Sequence, residues 1–448
     1  MTDSQIVITQ VANSSAEKRA ISYANTILNL LNNVFSNKQP ADRIIGLYFR
    51  EHKKHGSKDR RVIRESLFGL FRWWGWLNQL GDYKQQQTFF QMLSITASLE
   101  QHPWQDIQQA WTLFGAKNAT IDTDTAETSM PQTLLQKLDT FKKLSGLPQV
   151  IEADLVPQWF WQHCPIEDTT EKLALIESLC ARPPIWARVQ QANATQILAQ
   201  LQAQNIAATG CEYFSDAINL GNKSINLNQV KEYTNGQLEI QDLASQVIGQ
   251  ICAPKDNSQW WDACSGAGGK SLQLMSLMQH AKINGHITAS DIRKNALVEL
   301  QKRAKRAGFN NITLAPWQSD ALPVKENSFD GVLVDAPCSC TGTWRRNPDM
   351  RWIDDASSIT NKPALQLDIL SRSSAAVKTG GELIYATCSL SPVENQQVVE
   401  AFLAQHPQFE LQTITHPFTG EQATSLTIWP QTANSDGMFV AKMRKISC

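Results

Sequence analysis

The stretch Asp262-Ala263-Cys264-Ser265-Gly266-Ala267-Gly268-Gly269-Lys270 decides the fold. It follows a short apolar run, Trp260–Ala263, that reads as a strand. It opens a segment, Ser271–Ala281, with apolar residues at helical spacing. Strand, Gly-rich turn and helix in that order begin an α/β domain with a parallel sheet. Gly266, Gly268 and Gly269 let the backbone approach a ligand, and the helix start presents free amides to it. The glycine spacing is not the dinucleotide fingerprint, and no glycine stands where a P-loop ending in Gly269-Lys270-Ser271 needs one.

The alternation continues from this turn to the C-terminus. Further strand candidates are Ile287–Ser290, Ile312–Leu314, Gly331–Val334 and Leu383–Ala386, with helices near Asn295–Ala307, Ala364–Val377 and Val393–Gln405. The pattern predicts a Rossmann-like sheet, covered by helices on both faces, over residues 236–448. Residues 131–235 read as a small α+β module, with a helix near Thr195–Gln204 and short strands around Trp186–Val189 and Ala217–Leu220. Residues 1–130 read as all-helical, because Ile27, Leu30, Leu31, Val34 and then Ile63, Leu67, Leu70, Phe71 recur three and four apart. Trp73, Trp74 and Trp76 follow, and read as core or domain-interface residues rather than base-stacking platforms. The polar stretch Ala119–Gln132 reads as a linker or exposed loop.

Ligands of a parallel sheet bind outside the carboxyl ends of its strands. Asp291 ends the second strand, where a carboxylate holds ribose hydroxyls. Asp320 follows the third, where a carboxylate accepts from an adenine amine, and Asp335 ends the fourth, near the reactive end of a cofactor. Each alone fits a cap or turn residue. The series points to S-adenosylmethionine, held by Cys264, Ser265, Gly266, Ala267, Gly268, Gly269 and Lys270 with Asp291, Asp320 and Asp335.

Two thiols end neighbouring strands, in Asp335-Ala336-Pro337-Cys338-Ser339 and Ala386-Thr387-Cys388-Ser389. Methylation of exocyclic amines goes with an aromatic after the strand-four prolines, and a thiol stands here instead. Carbon 5 of a pyrimidine is a poor nucleophile until a thiolate adds at carbon 6, and cysteine suits that addition. A carboxyl group hydrogen-bonded to ring nitrogen 3 eases it, and Asp335 is the natural candidate. Ser391-Pro392-Val393-Glu394 reads as an N-cap, a first-turn proline and a capping Glu, so a helix start beside Cys388 would favour its thiolate. On the residues alone, Cys338 and Cys388 compete for the role of nucleophile.

The chain of 448 residues carries a net charge of −1 and 19% charged residues, an ordinary soluble composition. No run long enough to span a membrane and no signal peptide are read, and nine scattered cysteines suit a reducing cytoplasm. No second Cys/His pair completes a metal site with Cys338 and Cys340, so no metal is expected. Positive charge is concentrated: Arg43 to Arg72 hold nine basic side chains against three acidic, and Arg293 to Arg306 six against one. Such stretches suit RNA as partner, with Arg60, Arg61, Arg345 and Arg346 as expected phosphate contacts.

Asp262–Lys270, Asp335–Gly342 and Ala386–Ser389 resemble the motifs of the Sun/Fmu family of RNA cytosine-5 methyltransferases, in its RsmB-like branch. Gln241–Gln246 resembles the segment that precedes the family's catalytic sheet, and Ser435–Phe439 its final strand. The resemblance covers roughly Val150 to Lys442. It implies Cys388 as nucleophile, Cys338 as the group assisting product release, and Asp335 at the base edge. It further implies action on small-subunit ribosomal RNA and a helical N-terminal domain similar to NusB; a monomer in the cytoplasm is expected. Transfer RNA as substrate, or an assembly factor whose methylation is secondary, are the alternatives. Ala267, Cys340 and Ala296 depart from the family pattern, which carries Pro, a small Gly or Ala, and Arg at those places.

Overall fold

A computed structural model describes residues 7–116 and 133–446. The stretch Ala119–Gln132 therefore lies outside the described residues, as the reading of it as a linker does. The chain divides into two units: residues to Ala181 with Asn347–Asp355, and Arg182–Arg346 with Ala356 onward.

The first unit is helical. Ser14 caps the helix Ser15–Asn37 by accepting from the Glu17 amide, and Ile27, Leu30, Leu31 and Val34 form its buried stripe. Helices Ser57–Arg72, Gln86–Leu99 and Gln105–Gly115 enclose the buried Trp73, Trp76 and Trp111. The Trp73 and Trp76 rings stack at 5.3 Å, and the Trp73 indole donates to Glu100, which also pairs with Arg72 at 2.7 Å. These tryptophans are core residues, as their spacing indicated. Arg72, counted above in a basic stretch, is inside that core and offers no surface charge.

Residues 133–180 belong to this helical unit rather than to the α+β module. Helices Leu134–Ser145 and Thr169–Cys180 occupy half of them, and Phe141 packs on Trp76 at 5.4 Å. A polar stretch in a sequence does not by itself say whether the hydrophobic core changes across it. Asn347–Asp355 joins the same core: the Trp352 indole donates to the Phe71 carbonyl at 2.6 Å, and Asp349 accepts from the Ala41 amide.

The second unit begins with β1 (Trp186–Val189), β2 (Thr209–Gly210), β3 (Ala217–Asn219) and β4 (Leu238–Ile240), ordered β2-β3-β1-β4. Ala187, Val189, Ile197, Leu201, Ile218 and Leu238 form their core. β4 lies beyond the expected boundary at 235 because β1 pairs antiparallel on both edges and takes β4 as its second partner.

The large sheet holds β5 (Ser258–Asp262), β6 (Gly285–Ala289), β7 (Ile312–Leu314), β8 (Phe329–Asp335) and β9 (Val377–Thr387), parallel in the order β9-β8-β5-β6-β7. β10 (Phe409–Leu411) follows, then the small β11 (Ile414–Thr415) and β12 (Gln422–Ala423) pair, β13 (Ser425–Ile428) and β14 (Met438–Lys445). β14 runs antiparallel to β9 and carries β10 and β13 on its other edge. The final strand thus starts where the motif Ser435–Phe439 ends. Alternate residues feed two cores: Trp260, Leu333 and Ile384 pack with Leu243 and Leu272, whereas Trp261, Val334 and Tyr385 pack with Leu370 and Phe402. Strand order reverses between β5 and β8, which opens a crevice at their carboxyl ends. Among the described residues no helix is long and apolar enough to cross a membrane.

Candidate active site

At the end of β5 the chain turns on glycine. Gly266 and Gly268 have φ of +54° and +88°, a region open to glycine and strained for other residues. A Cβ on Gly268 would stand 2.5 Å from Leu300, whereas one on Gly269, at the start of helix Gly269–His280, would meet nothing within 4 Å. That open space faces a helix N-terminus twelve residues long, a place suited to an anionic or polar ligand. Asp262 is buried, accepts from Ser271 at 2.6 Å, and leaves its Oδ1 without a partner. Burial pushes its carboxyl up to about 7 against the Ser271 hydrogen bond.

Asp291 folds back on this turn. It accepts from the Gly266 amide at 2.9 Å and from the Arg293 amide and guanidinium at 2.8 and 3.0 Å. Burial would raise its carboxyl, but these hydrogen bonds and the Arg293 charge outweigh it and hold the pKa below the usual value. Arg293 was not foreseen as a site residue, and its signal was its place two residues after the carboxylate. Trp317 was also missed: its indole donates to the Ala263 carbonyl at 2.8 Å beside the turn. Asp320 behaves differently. Its side chain is fully exposed, with Arg372 at 3.6 Å as its ionic partner.

Across the switch point, Lys270 reaches from the Gly-rich turn to Asp335 at 2.7 Å. Burial raises the Asp335 carboxyl and Lys270 opposes, and the carboxyl stays above its ordinary value. Burial would lower Lys270, and the Asp335 charge keeps it raised.

The two expected thiols meet: Cys338 Sγ and Cys388 Sγ are 3.2 Å apart. Cys340 joins them, and the three sulfurs lie within 4.8 Å of one another. Shared S–H bonds set their protonation. Cys340 is pushed down by bonds from Cys338 and Cys388, and Cys338 is pushed well up by its bonds to the same pair. Cys388 is drawn down by Cys338, but Cys340 and burial prevail and raise it to about 12.

The helix expected at Ser391 starts instead at Gln396, with 391–395 forming a turn. No helix start adjoins Cys388, so that source of thiolate stabilisation is absent. Glu394 is no cap. It is buried and accepts from the Ser339 amide at 2.8 Å, from the Ser339 and Ser389 hydroxyls, and from Gln366 at 3.1 Å. One carboxylate thereby ties together both cysteine turns. The Thr341 hydroxyl accepts from the Leu390 amide at 2.9 Å, and the Gly342 amide donates to the Cys388 carbonyl at 2.9 Å. Gly342 lies so close to Gly437 that a Cβ would stand 2.2 Å from its carbonyl oxygen. The sequence signal for this clamp is the serine that follows each cysteine.

The four expected RNA contacts part company. Arg345 is 4% exposed and donates to the Arg182 carbonyl at 3.2 Å, so its side chain turns inward and is no surface phosphate ligand. Arg346, half-exposed, pairs with buried Asp436 at 2.8 Å. Arg60 and Arg61 belong to the helical unit, where Arg60 lies over the Phe49 ring at 5.3 Å and Arg61 pairs with Glu65 at 3.0 Å. In the second basic stretch Arg303 and Arg306 are drawn to Glu239 at 3.1 and 2.7 Å.

A Gly-rich turn, a buried carboxylate after the second strand and a switch-point crevice give this sheet the Rossmann-like form of the methyltransferases. The family described as 16S rRNA methyltransferase RsmB/F matches residues 249–444. Ribosomal RNA small subunit methyltransferase B of Sodalis glossinidius is 31% identical over 301 residues, and that of Yersinia enterocolitica 28% over 295. Each match covers 65% of this chain and 66% of the relative, so the chain spans just under two thirds of those proteins' length. The crystal structure of PH0851 superposes with a TM-score of 0.70 at 21% identity, over 98% of this chain and all of that one. NSun6 from Pyrococcus horikoshii, solved with SFG, gives 0.57 at 18% identity over 65% of this chain and 99% of its own. In its sheet-bearing half the chain is thus similar to the RsmB/F methyltransferases, in keeping with the resemblance carried by its motifs.

Proposed function

We propose that this protein methylates carbon 5 of a cytosine in small-subunit ribosomal RNA, in the cytoplasm, through a covalent adduct with Cys388. The observation that carries the reading is the 3.2 Å contact of the two strand-end sulfurs, on the same switch-point crevice as the Lys270–Asp335 pair. The cofactor is S-adenosylmethionine. The open space at Gly269, the free Oδ1 of Asp262 and the buried Asp291 suit a ligand with an amino acid end and a ribose. When bound, it supplies the electrophilic methyl group.

The chain's own residues do the rest. The Cys388 sulfur, as thiolate, adds to carbon 6 and drives electron density onto carbon 5. Asp335, its pKa raised by burial, is placed to hydrogen-bond the edge of the base at ring nitrogen 3, and Lys270 fixes its orientation. After methylation a base takes the carbon 5 proton, that C–H electron pair restores the bond between carbons 5 and 6, and the carbon 6–sulfur bond breaks, returning its pair to Cys388. Cys338 assists this release. Arg60, Arg61 and Arg346 are proposed phosphate contacts; Arg345 is withdrawn from that set.

Two experiments test the reading. Cys388→Ala should form no covalent bond to RNA, and Cys338→Ala should stall as an adduct that survives denaturing electrophoresis. The reverse pattern would make Cys338 the nucleophile. Bisulfite sequencing of RNA from cells with and without the gene should lose one site in small-subunit ribosomal RNA. A lost site in transfer RNA would change the substrate, and no lost site would favour the assembly-factor alternative.

A further inference from the structure

Cys340 has no part in the proposed reaction, yet its sulfur lies with the two that do. Its backbone is left-handed, with φ of +59°, a conformation that favours glycine and disfavours cysteine. The family pattern has a small Gly or Ala there. A thiol at this strained position, with its sulfur turned onto the Cys338 carbonyl at 3.5 Å, completes a triangle of sulfurs.

The triangle has the dimensions of a metal site. Three sulfurs bound to zinc at about 2.3 Å stand roughly 3.8 Å from one another in tetrahedral geometry. Here all three pairs fall within 4.8 Å and the Cys338–Cys388 pair is at 3.2 Å, so small side-chain rotations suffice. The two turns that carry the thiols are already joined through Glu394, which reduces the ordering cost of binding. The ligand set contains sulfur alone, which selects zinc over magnesium or calcium. All three side chains are half-buried, and three ligands leave a fourth position open to water.

We propose that Cys338, Cys340 and Cys388 form a reversible three-thiolate Zn²⁺ site, and that its occupation shuts the enzyme by engaging the nucleophile. Binding releases the thiol protons to solvent and involves no redox change. The inhibitory half rests on the function proposed above; the metal site itself does not.

The test uses the full reduced chain. Titration with Cd²⁺, an optical stand-in for zinc, should raise a thiolate-to-metal absorption band that saturates at one equivalent and is displaced by Zn²⁺. Cys340→Gly suits the left-handed backbone and removes one ligand, so it should weaken binding by roughly tenfold or more, since even outer partners of a ligand are worth about 10–100-fold. Cys340→Ser, which keeps the side chain's size, should do the same. One equivalent of Zn²⁺ should block methylation of RNA by the parent, a chelator should restore it, and Cys340→Gly, compared with its own metal-free rate, should resist zinc. Absence of the band, or a band of equal affinity in both Cys340 variants, overturns the site. Methylation with no band leaves the functional reading standing without this inference. A Cys340-dependent band in a protein that methylates no RNA supports the site and overturns the functional reading.

Discussion

At the end of β5 the chain is shaped by backbone, through Gly266 and Gly268 at positive φ. At the ends of β8 and β9 it is shaped by buried side chains, with Glu394 receiving Ser339, Ser389 and Gln366. The first region leaves open space at a helix start, and the second fills its interior with hydrogen bonds that hold two sulfurs in contact. Both present a turn at the carboxyl ends of one sheet. They differ in where the cost of a substitution should fall: on ligand affinity and local strain in the first, on stability and thiol geometry together in the second.

The largest effect expected from this contrast is at Glu394. Glu394→Ala strands the Ser339 amide and two hydroxyls in the interior, and should cost about 5 kcal/mol of stability, at about 1–3 kcal/mol for each stranded donor. Methyl transfer by the folded fraction should fall with it, because both cysteine turns lose their common tie. Denaturant unfolding alongside an activity assay measures both. Loss of activity at unchanged stability would mean that Glu394 acts chemically rather than as a clamp.

Next comes the pH dependence set at the first region. The Asp262 carboxyl is raised by burial to about 7 in the folded chain, above its unfolded value. The folded state therefore holds this proton more tightly. The stabilisation is complete below the unfolded pKa and is lost as pH rises through 7, a change of up to about 4 kcal/mol between roughly pH 4 and pH 7. Asp262→Asn removes the titration. The stability of the parent relative to Asp262→Asn should fall across that window, and parallel curves would show that Asp262 stays ionised.

These two groups also show what a single sequence reveals. The Gly-rich turn, Asp291 and the paired cysteines were legible because their chemistry lies in contiguous residues at strand ends. Glu394 was not, since Ser391-Pro392-Val393-Glu394 satisfies a local capping pattern while the amide it accepts from belongs to Ser339. Arg345 and Arg346 read alike as neighbours, and only packing turns one inward to Arg182 and the other to Asp436. The short β4 and the edge strands β10 and β13 escaped notice because three or four residues carry too little alternation to register. The helices at 133–180 were assigned to the wrong neighbour because a polar stretch says nothing about which core lies beyond it.

A smaller effect separates two adjacent glycines. Gly268→Ala puts a methyl group 2.5 Å from Leu300 on a backbone with φ of +88°, and should cost about 2 kcal/mol of stability. Gly269→Ala meets open space and should leave stability within about 0.5 kcal/mol, alanine being the better helix former. It should weaken S-adenosylmethionine binding, because the methyl group enters the space proposed for the ligand. Equal stability losses in both would remove backbone strain as the organising feature of this turn.

The finest test lies between two carboxylates that looked equivalent in the sequence. Asp291 is buried against the Gly266 amide and shares its oxygens with Arg293, whereas Asp320 is fully exposed. A buried carboxylate hydrogen-bonded to a ribose is worth about 1–3 kcal/mol on removal. Asp291→Ala should therefore weaken calorimetric binding of S-adenosylmethionine by that amount. Asp320→Ala should change it by less than about 0.5 kcal/mol, since a solvated side chain gains little from one more partner. Arg293→Ala gives the sign of the neighbour's role: tighter binding would mean that Arg293 competes with the ligand for Asp291, and weaker binding that it holds the carboxylate in place. Equal losses at Asp291 and Asp320 would mean that the loop bearing Asp320 closes onto the ligand, and would place the two carboxylates in one site after all.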